Sequence, residues 1–253
     1  MHILVTNDDG LLAPGIAALA EALRPLGDID VVAPASGQSG AAHAITFLAP
    51  LICERISIGG SFFGWSVDGS PADCVKLGVQ ELCRKRPDLV VSGINAGANR
   101  GVDVIYSGTV AAAVEAAFIG IPSLAISLEA SGGFDFEKAA VHAHAVVARA
   151  IALGIGPGTV LNVNIPGLDR GEPRGIRVVR QSTAPWTDTY DRRADPRGRS
   201  YFWLKGGGER GDEPRVDTDL AALRAGYITI TPLQYDLTQY PQLEYLEGAW
   251  RDG

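Results

Sequence analysis

Two adjacent aspartates near the N-terminus are the first residues whose type and spacing suggest chemistry. Asp8 and Asp9 stand between Asn7 and Gly10, directly after the apolar, β-branched run at 2–6. Two neighbouring carboxylates at a strand end cannot both point into a core, so at least one must face a crevice. Hard cations such as Mg²⁺ take oxygen ligands of this kind, often together with a substrate phosphate. The alternative is an Asx-type turn or a helix cap without any ligand, and both interpretations stay open at this point.

A second polar segment follows the next predicted strand. Residues 36–40 read Ser-Gly-Gln-Ser-Gly, shortly after Pro34 ends that strand. Ser39 therefore places a hydroxyl and nearby backbone N–H groups at the same edge of the sheet, although a plain flexible loop has a similar composition. His43, just beyond, is a candidate general acid or base, or simply a solvated loop residue.

A third segment combines glycines, amide side chains and the start of a helix. Residues 92–101 read SGINAGANRG, and within them Asn95 offers a neutral oxygen ligand. Ser107, Gly108 and Thr109 follow at the predicted start of a helix, where free backbone N–H groups and the helix dipole favour a phosphate. The alternative role of this triplet is an ordinary hydroxyl N-cap, and a cap and an anion site can coexist.

The elements that must position these segments are those of a parallel α/β fold. A strand, a helix and a second strand within residues 2–33 form a βαβ unit, which requires a parallel sheet. Ser70 and Asp73 predict a capping box at the start of a later helix. Hydrophobic patterning predicts further strands at 88–92, 121–128, 159–165, 176–180 and 227–231 and helices at 16–26, 71–83, 108–118, 136–153 and about 220–226. In such sheets ligands bind beyond the carboxyl ends of the strands, where all three polar segments fall.

Composition describes a folded acidic protein and disfavours several classes of function. The chain has 253 residues, of which 46% are hydrophobic, and a formal net charge of −7. This charge disfavours duplex nucleic acid and membrane surfaces as partners, because both attract positive charge. The sequence contains no G-x-G-x-x-G fingerprint after the first strand, which disfavours NAD or FAD as a cofactor, and no Walker A motif. Three cysteines without a C-x-x-C pair disfavour a zinc site. The sequence also shows no signal peptide and no transmembrane run. We therefore predict that the three cysteines are reduced thiols in a cytoplasmic protein.

The C-terminal part of the chain has a different amino-acid composition. Residues 182–215 are rich in Pro, Gly, Asp and Arg. Their aromatic residues are Trp186, Tyr190, Tyr201, Phe202 and Trp203. Aromatic residues in such an arm are more often buried against another surface than exposed, so we predict an irregular or hairpin extension. The expected organisation is an α/β catalytic core over 1–181 and an extension over 182–253. That extension comprises a hairpin or arm, a short helix and a strand, packing on the core and on a partner subunit.

Taken together, these segments resemble the SurE family of survival-protein phosphatases. The resemblance rests on NDDG…APGI at 7–16, VVAP at 31–34, SG at 39–40, GSPADC at 69–74 and VVSGINAGANRGVDVIYSGTVAAAVEAA at 90–117. It extends through TVLNVNIP at 159–166 and GYITITPL at 226–233. It implies a Rossmann-like three-layer α/β sandwich with a mostly parallel sheet and a C-terminal oligomerisation extension.

The resemblance also implies an activity and the residues that perform it. The activity is that of a divalent-metal-dependent acid phosphatase, a 5′/3′-nucleotidase that hydrolyses nucleoside monophosphates. Our hypothesis for its mechanism is in-line attack of water, with a covalent aspartyl route as the alternative. The family's metal site, for one Mg²⁺ or Mn²⁺, corresponds to Asp8, Asp9, Ser39 and Asn95, with the two aspartates also catalytic. Its phosphate site corresponds to Asn99, Ser107, Gly108 and Thr109. Family members are dimers or tetramers, so we expect a homodimer or homotetramer. The alternative function is a nucleotide or phosphate sensor that binds without hydrolysis.

Overall fold

One large sheet with helices on both faces organises the chain in a computed structural model that describes residues 1–184, 189–205 and 215–251. The strands are β1 (His2–Thr6), β2 (Asp28–Pro34), β3 (Cys53–Ile58), β4 (Ser61–Val67), β5 (Leu89–Ala96), β6 (Ser123–Leu128), β7 (Val160–Ile165), β8 (Ile176–Val178), β9 (Thr189–Ala194), β10 (Ser200–Lys205) and β11 (Ile228–Leu233). The α-helices are α1 (Pro14–Leu23), α2 (Pro71–Leu77), α3 (Asp103–Tyr106), α4 (Gly108–Phe118), α5 (Phe136–Ala152), α6 (Asp219–Arg224) and α7 (Tyr240–Arg251).

The main sheet has the strand order β3-β4-β2-β1-β5-β6-β7-β11-β8. The pairings from β4 through β2, β1, β5 and β6 to β7 are all parallel, whereas β3 and β11 run antiparallel to β4 and β7. The chain leaves β1 toward β2 on one side and later returns to β5 on the other. The strand order therefore reverses between β1 and β5, and open α/β sheets bind ligands at the carboxyl ends of such strands.

Alternating side chains of the sheet form two buried layers. On β1, Ile3 and Val5 pack with residues of α1 and α5, whereas Leu4 packs with residues of α2 and α4. A strand covered on both faces must be apolar at every position, which explains the uninterrupted apolar runs in the sequence. The predicted three-layer α/β fold with a mostly parallel sheet is confirmed.

Several local predictions are confirmed at their boundaries. The first strand and the helix at 108–118 have the predicted limits. The capping box is present: Ser70 Oγ accepts a hydrogen bond from the Asp73 N–H at 3.1 Å, and Asp73 Oδ2 accepts one from the Ser70 N–H at 2.9 Å. No helix among the described residues is long and apolar enough to cross a membrane.

Two predicted elements end at other residues than expected, and two further elements were not predicted. The helix predicted at 71–83 ends at Leu77 and continues only as a wider π-helical turn over Gly78–Leu82. The strand predicted to end at Ser92 continues to Ala96, after an irregularity in its pairing with β6. The β3–β4 hairpin was missed because β3 lies at a sheet edge, is mostly exposed and carries the charged residues Glu54 and Arg55. Helix α7 was also missed; it is almost wholly exposed, and it contains Pro241 and Gly248, which are poor helix formers.

The C-terminal part supplies both a hairpin and a strand of the main sheet. Strands β9 and β10 pair antiparallel with each other, and β11 lies between β7 and β8 in the nine-stranded sheet. The hairpin side chains Tyr190, Tyr201, Phe202 and Trp203 are 42–64% exposed in this single chain. Trp186, the remaining aromatic residue predicted to belong to the arm, lies outside the described residues. The surface expected to cover these side chains is therefore not supplied by the described part of the same chain.

Candidate metal and phosphate site

A tight turn after β1 presents Asp8 and Asp9 at the switch point. The fully buried Asn7 closes this turn: its Nδ2 donates to the Gly10 carbonyl at 2.9 Å, and its Oδ1 accepts from the Gly10 N–H at 3.2 Å. The Asx-type turn considered for this motif therefore belongs to Asn7. Both carboxylates remain outside it, with Asp8 only 5% exposed and Asp9 half-buried.

The environment of Asp8 disfavours an uncompensated negative charge. Burial raises the pKa of Asp8 above its ordinary value, the hydrogen bond from the Thr109 hydroxyl opposes this, and the charge of Asp9 raises the pKa further. Asp9 accepts a hydrogen bond from the Ala96 N–H through Oδ2 at 3.2 Å. Two crowded carboxylates at this position would be stabilised as anions by a cation between them and the solvent. The site therefore fits a bound metal ion by its electrostatics.

Backbone contacts bring Ser39 and Asn95 to the same place. The Gln38 N–H donates to the Asp8 carbonyl at 2.7 Å, which holds the loop carrying Ser39 against the β1 turn. Asn95 lies at the end of β5, the neighbour of β1, and its Nδ2 donates to the Gly97 carbonyl at 2.7 Å. That bond leaves the amide oxygen of Asn95 as the atom available to a cation. Both residues line one cavity of about 290 Å³ together with the two aspartates.

The N-terminus of α4 forms another wall of the site. Ser107 lines the cavity and caps the helix, accepting from the Val110 N–H at 3.1 Å. Gly108 lies behind it, where an added Cβ would come within 2.8 Å of the Asp8 Cβ. Thr109 is fully buried and its hydroxyl is bound to Asp8. Of the predicted phosphate residues, the structure thus places Ser107 at the cavity surface and Gly108 and Thr109 against the buried carboxylate.

Asn99, the remaining predicted phosphate residue, is held rigidly at the cavity wall. Its Nδ2 donates to Ser127 Oγ at 2.8 Å, and its backbone N–H donates to Asn164 Oδ1 at 2.8 Å. The side chains of Asn162 and Asn164 donate in turn to the Asn99 carbonyl. Asn162 and Asn164 are polar residues in the otherwise apolar strand β7, and the sequence prediction did not use them as a sign of a polar site.

Two further cavity-lining residues were not anticipated. Asp103 and Tyr106 belong to the short helix α3, just before the Ser107 cap, and both line the cavity. Their position could have been inferred from sequence, because they stand within a few residues of the predicted phosphate triplet.

His43 is engaged in a separate cluster. Its Nε2 lies 2.8 Å from Glu115 Oε2, and its ring stacks on Phe118 at 5.2 Å between centroids. Lys76 Nζ donates to the other oxygen of the buried Glu115 at 3.1 Å. His43 is not among the residues that line the cavity, so the geometry favours a structural role over general acid or base catalysis.

The fold and the site together define an α/β protein with paired carboxylates and a helix N-terminus at the switch point of a parallel sheet. A family model described as "Survival protein SurE" matches residues 3–188. The protein named 5′-nucleotidase SurE from Christiangramia forsetii is 48% identical over 251 residues, covering 98% of this chain and 96% of that protein. The protein named 5′-nucleotidase SurE 1 from Thermus thermophilus is 47% identical over 253 residues, covering 98% and 97%.

A solved structure agrees with these sequence matches. The crystal structure of the SurE protein from Aquifex aeolicus superimposes with a TM-score of 0.83 at 42% identity, covering 98% of this chain and all 100% of that one. The chain belongs to the SurE family.

Proposed function

We propose that this protein is a divalent-metal-dependent phosphatase that hydrolyses nucleoside monophosphates, with 5′- and 3′-nucleotidase activity. The relatives described above carry the name 5′-nucleotidase and match this chain over nearly their full length. The structural support is the convergence of Asp8, Asp9, Ser39 and Asn95 with the N-terminus of α4 around one cavity.

The donor set suits a hard divalent cation. Asp8, Asp9, Ser39 and Asn95 would hold it through two carboxylates, a hydroxyl and an amide oxygen. Only two of these ligands carry charge, so the occupied site would be neutral rather than anionic, with coordination positions left for phosphate. Mg²⁺ and Mn²⁺ both favour oxygen ligands. When bound, such an ion neutralises phosphate charge and lowers the pKa of a coordinated water.

The remaining residues would bind and orient the substrate. The N-terminus of α4 meets the cavity at Ser107, where the positive end of the helix dipole would favour a phosphate dianion. Thr109 fixes the Asp8 carboxylate, and the anchored Asn99 gives the phosphate site a rigid wall. Water would attack phosphorus in line with the leaving ribose oxygen. One proton of this water would be given up as the new P–O bond forms and would end up on the leaving oxygen as the old P–O bond breaks.

A substrate and metal panel tests this proposal. Phosphate release would be measured from 5′-AMP, 3′-AMP, p-nitrophenyl phosphate, ADP and polyphosphate, with EDTA and after adding Mg²⁺ or Mn²⁺. We expect release from the monophosphates, loss of release with EDTA and recovery with either ion. Turnover unaffected by exhaustive chelation would contradict metal dependence, and tight nucleotide binding without release would favour the sensor.

We also infer that the working form is a homodimer or homotetramer in the cytoplasm. The exposed aromatic side chains of the β9–β10 hairpin support association with another subunit, since aromatic residues are enriched at interfaces. The three cysteines are all free, which is typical of a reducing compartment.

A further inference from the structure

A second polar cluster lies at the amino ends of the parallel strands, away from Asp8. It joins His2 at the start of β1, Asp30 in β2 and Cys83 just after the π-helical turn. One imidazole nitrogen, one carboxylate oxygen and the thiol sulfur lie within 4.8 Å of one another. Strand β1 alone separates this cluster from the aspartate turn by roughly 16 Å, at about 3.3 Å per residue.

The cluster is buried and contains an unsatisfied donor or acceptor. His2 is 1% and Asp30 7% exposed, and Cys83 is half-buried. His2 Nε2 lies 2.8 Å from Asp30 Oδ2, whereas His2 Nδ1 is buried without a hydrogen-bond partner among the described residues. Nε2 is therefore the nitrogen directed at the Asp30 carboxylate, and it is the one that would ligate a metal ion held between the two side chains.

Arg84 holds the carboxylate of this cluster in place. Its backbone N–H donates to Asp30 Oδ2 and its Nε donates to Asp30 Oδ1, both at 2.9 Å. Outer partners of this kind orient a ligating carboxylate in metal sites. Arg84 balances the charge of Asp30 in the metal-free cluster. A zinc ion with one thiolate and one carboxylate would be neutral by itself.

We propose that His2, Asp30 and Cys83 form a zinc-type metal site distinct from the oxygen-ligand site at Asp8. A mixed nitrogen, oxygen and sulfur donor set suits Zn²⁺ and disfavours Mg²⁺. On binding, the Cys83 S–H bond breaks, its proton goes to solvent, and sulfur bonds to the metal; nothing is oxidised or reduced.

The Asp30 side of the cluster borders a cavity of about 620 Å³. Asp30, Leu82 and Arg84 line this cavity, whereas His2 and Cys83 are not among its lining residues. Three protein ligands with an open fourth position are the arrangement of reactive or exchangeable zinc sites, whereas structural sites have four protein ligands. We therefore expect an exchangeable site rather than one required for folding.

Cobalt substitution tests the site through a signal that does not depend on enzymatic activity. Metal-stripped full-length protein titrated with Co²⁺ is expected to develop thiolate-to-cobalt charge-transfer absorption at one equivalent, which Zn²⁺ then abolishes. Cys83→Ser should lose this absorption, whereas Cys53→Ser, which changes another half-buried free cysteine, should keep it. Absence of the band in the unmodified protein, or its persistence in Cys83→Ser, would overturn the proposal.

Thiol alkylation provides a second test without any substitution. At a zinc concentration about ten times the Kd, iodoacetamide should modify Cys83 about tenfold more slowly, in proportion to the unoccupied fraction. Cys53 in the same molecules should react at an unchanged rate, as read by mass spectrometry. No protection of Cys83, or equal protection of both cysteines, would show a plain hydrogen-bonded cluster or non-specific thiol binding instead.

Discussion

At the scale of single residues, the two adjacent aspartates have different environments. Asp8 is almost completely buried and bound to Thr109, whereas Asp9 is half-buried and accepts one backbone hydrogen bond from Ala96. A substitution at Asp8 therefore disturbs packing as well as charge. Asp9 is the better position at which to test the proposed chemistry by itself.

Asp9→Asn is expected to lower kcat by about 10²–10³-fold while the protein stays folded. The reason is that the substitution removes the charge of a proposed metal ligand, and such a charge stabilises the transition state by several kcal/mol. Phosphate release from 5′-AMP with saturating Mg²⁺ measures the effect. Asp68→Asn, at an exposed aspartate outside the cavity lining, is the matched control and should retain full activity. Near-normal turnover of Asp9→Asn would argue against the assignment.

A second residue-scale feature is the charge of Glu115. Burial by itself raises the pKa of Glu115, but hydrogen bonds from His43 and Lys76 outweigh it and hold the pKa below its ordinary value. A lowered pKa in the folded state means that ionisation of this side chain favours folding. The contribution is present above the ordinary glutamate pKa and is lost as the pH falls through the folded-state value.

Glu115→Gln should therefore lower the free energy of unfolding at pH 7 by about 1.5 kcal/mol. This value is the lower end of the range for hydrogen bonds to charged groups, because His43 and Lys76 are both partly exposed. The difference in the free energy of unfolding between this variant and the unmodified protein should shrink as the pH falls below about 4.3. Urea denaturation at several pH values measures it. Glu54→Gln on the exposed face of β3 is the control and should cost little at any pH. A pH-independent difference would contradict the charge explanation.

At the scale of elements, the decisive contact is between the start of α4 and the end of β1. Helix α4 has the limits that its sequence predicts, yet its first residue is placed by tertiary packing. Gly108 has no side chain because an added Cβ would lie 2.8 Å from the Asp8 Cβ and 3.1 Å from Pro71 Cγ. The helix N-terminus can thereby approach the carboxylate closely.

Gly108→Ala should reduce activity by about 10²-fold without unfolding the protein. Alanine is a better helix former than glycine, so the helix itself is favoured. The new methyl group displaces Asp8, however, and a displacement near 1 Å at a catalytic site has a cost of this size. Steady-state kinetics and circular dichroism measure the two effects. Gly156→Ala, where nothing lies within 4 Å of the added Cβ, is the control. Unchanged kcat in Gly108→Ala would refute the close-contact argument.

At the scale of the whole molecule, the C-terminal part has two different relations to the core. Strand β11 completes the main sheet between β7 and β8, so this segment is integral to the fold. The β9–β10 hairpin forms a separate two-stranded sheet and exposes Phe202 and Trp203 by 58% and 61%. Exposed aromatic side chains of this kind are typical of an interface.

The double substitution Phe202→Ser and Trp203→Ser should shift the protein to a smaller oligomer. We expect the unmodified chain to be a dimer or tetramer, and removal of these two anchors should weaken association at least tenfold, about 1.4 kcal/mol. Size-exclusion chromatography with light scattering over a concentration series measures the shift. Val141→Ser, at an exposed apolar residue of α5, is the control. A monomeric unmodified protein at all concentrations would disprove this role of the hairpin.

The amino-acid sequence by itself determined the local elements and the chemistry available to them. Continuous apolar runs predict strands covered on both faces, the Ser70 capping box and the alanine-rich run of α4 predict helix starts, and the polar segments at 7–10, 36–40 and 92–109 fall at strand ends. These signals are local, because propensity, capping and periodicity depend on residues within one turn or one strand. The edge hairpin β3–β4 and helix α7 escaped prediction. Helix α7 has Leu243, Leu246 and Trp250 at helical spacing, but Pro241 and Gly248 weaken its helical signal.

Only the tertiary structure decided which of these residues meet. Thr109 contacts the Asp8 carboxylate, the asparagines of β7 anchor Asn99, and His43 pairs with Glu115. Likewise, His2, Asp30 and Cys83 come together from three distant segments. Such contacts follow from sheet order, register and loop packing, which depend on the balance of interactions over the whole chain. Sequence spacing does not encode that balance at any single position.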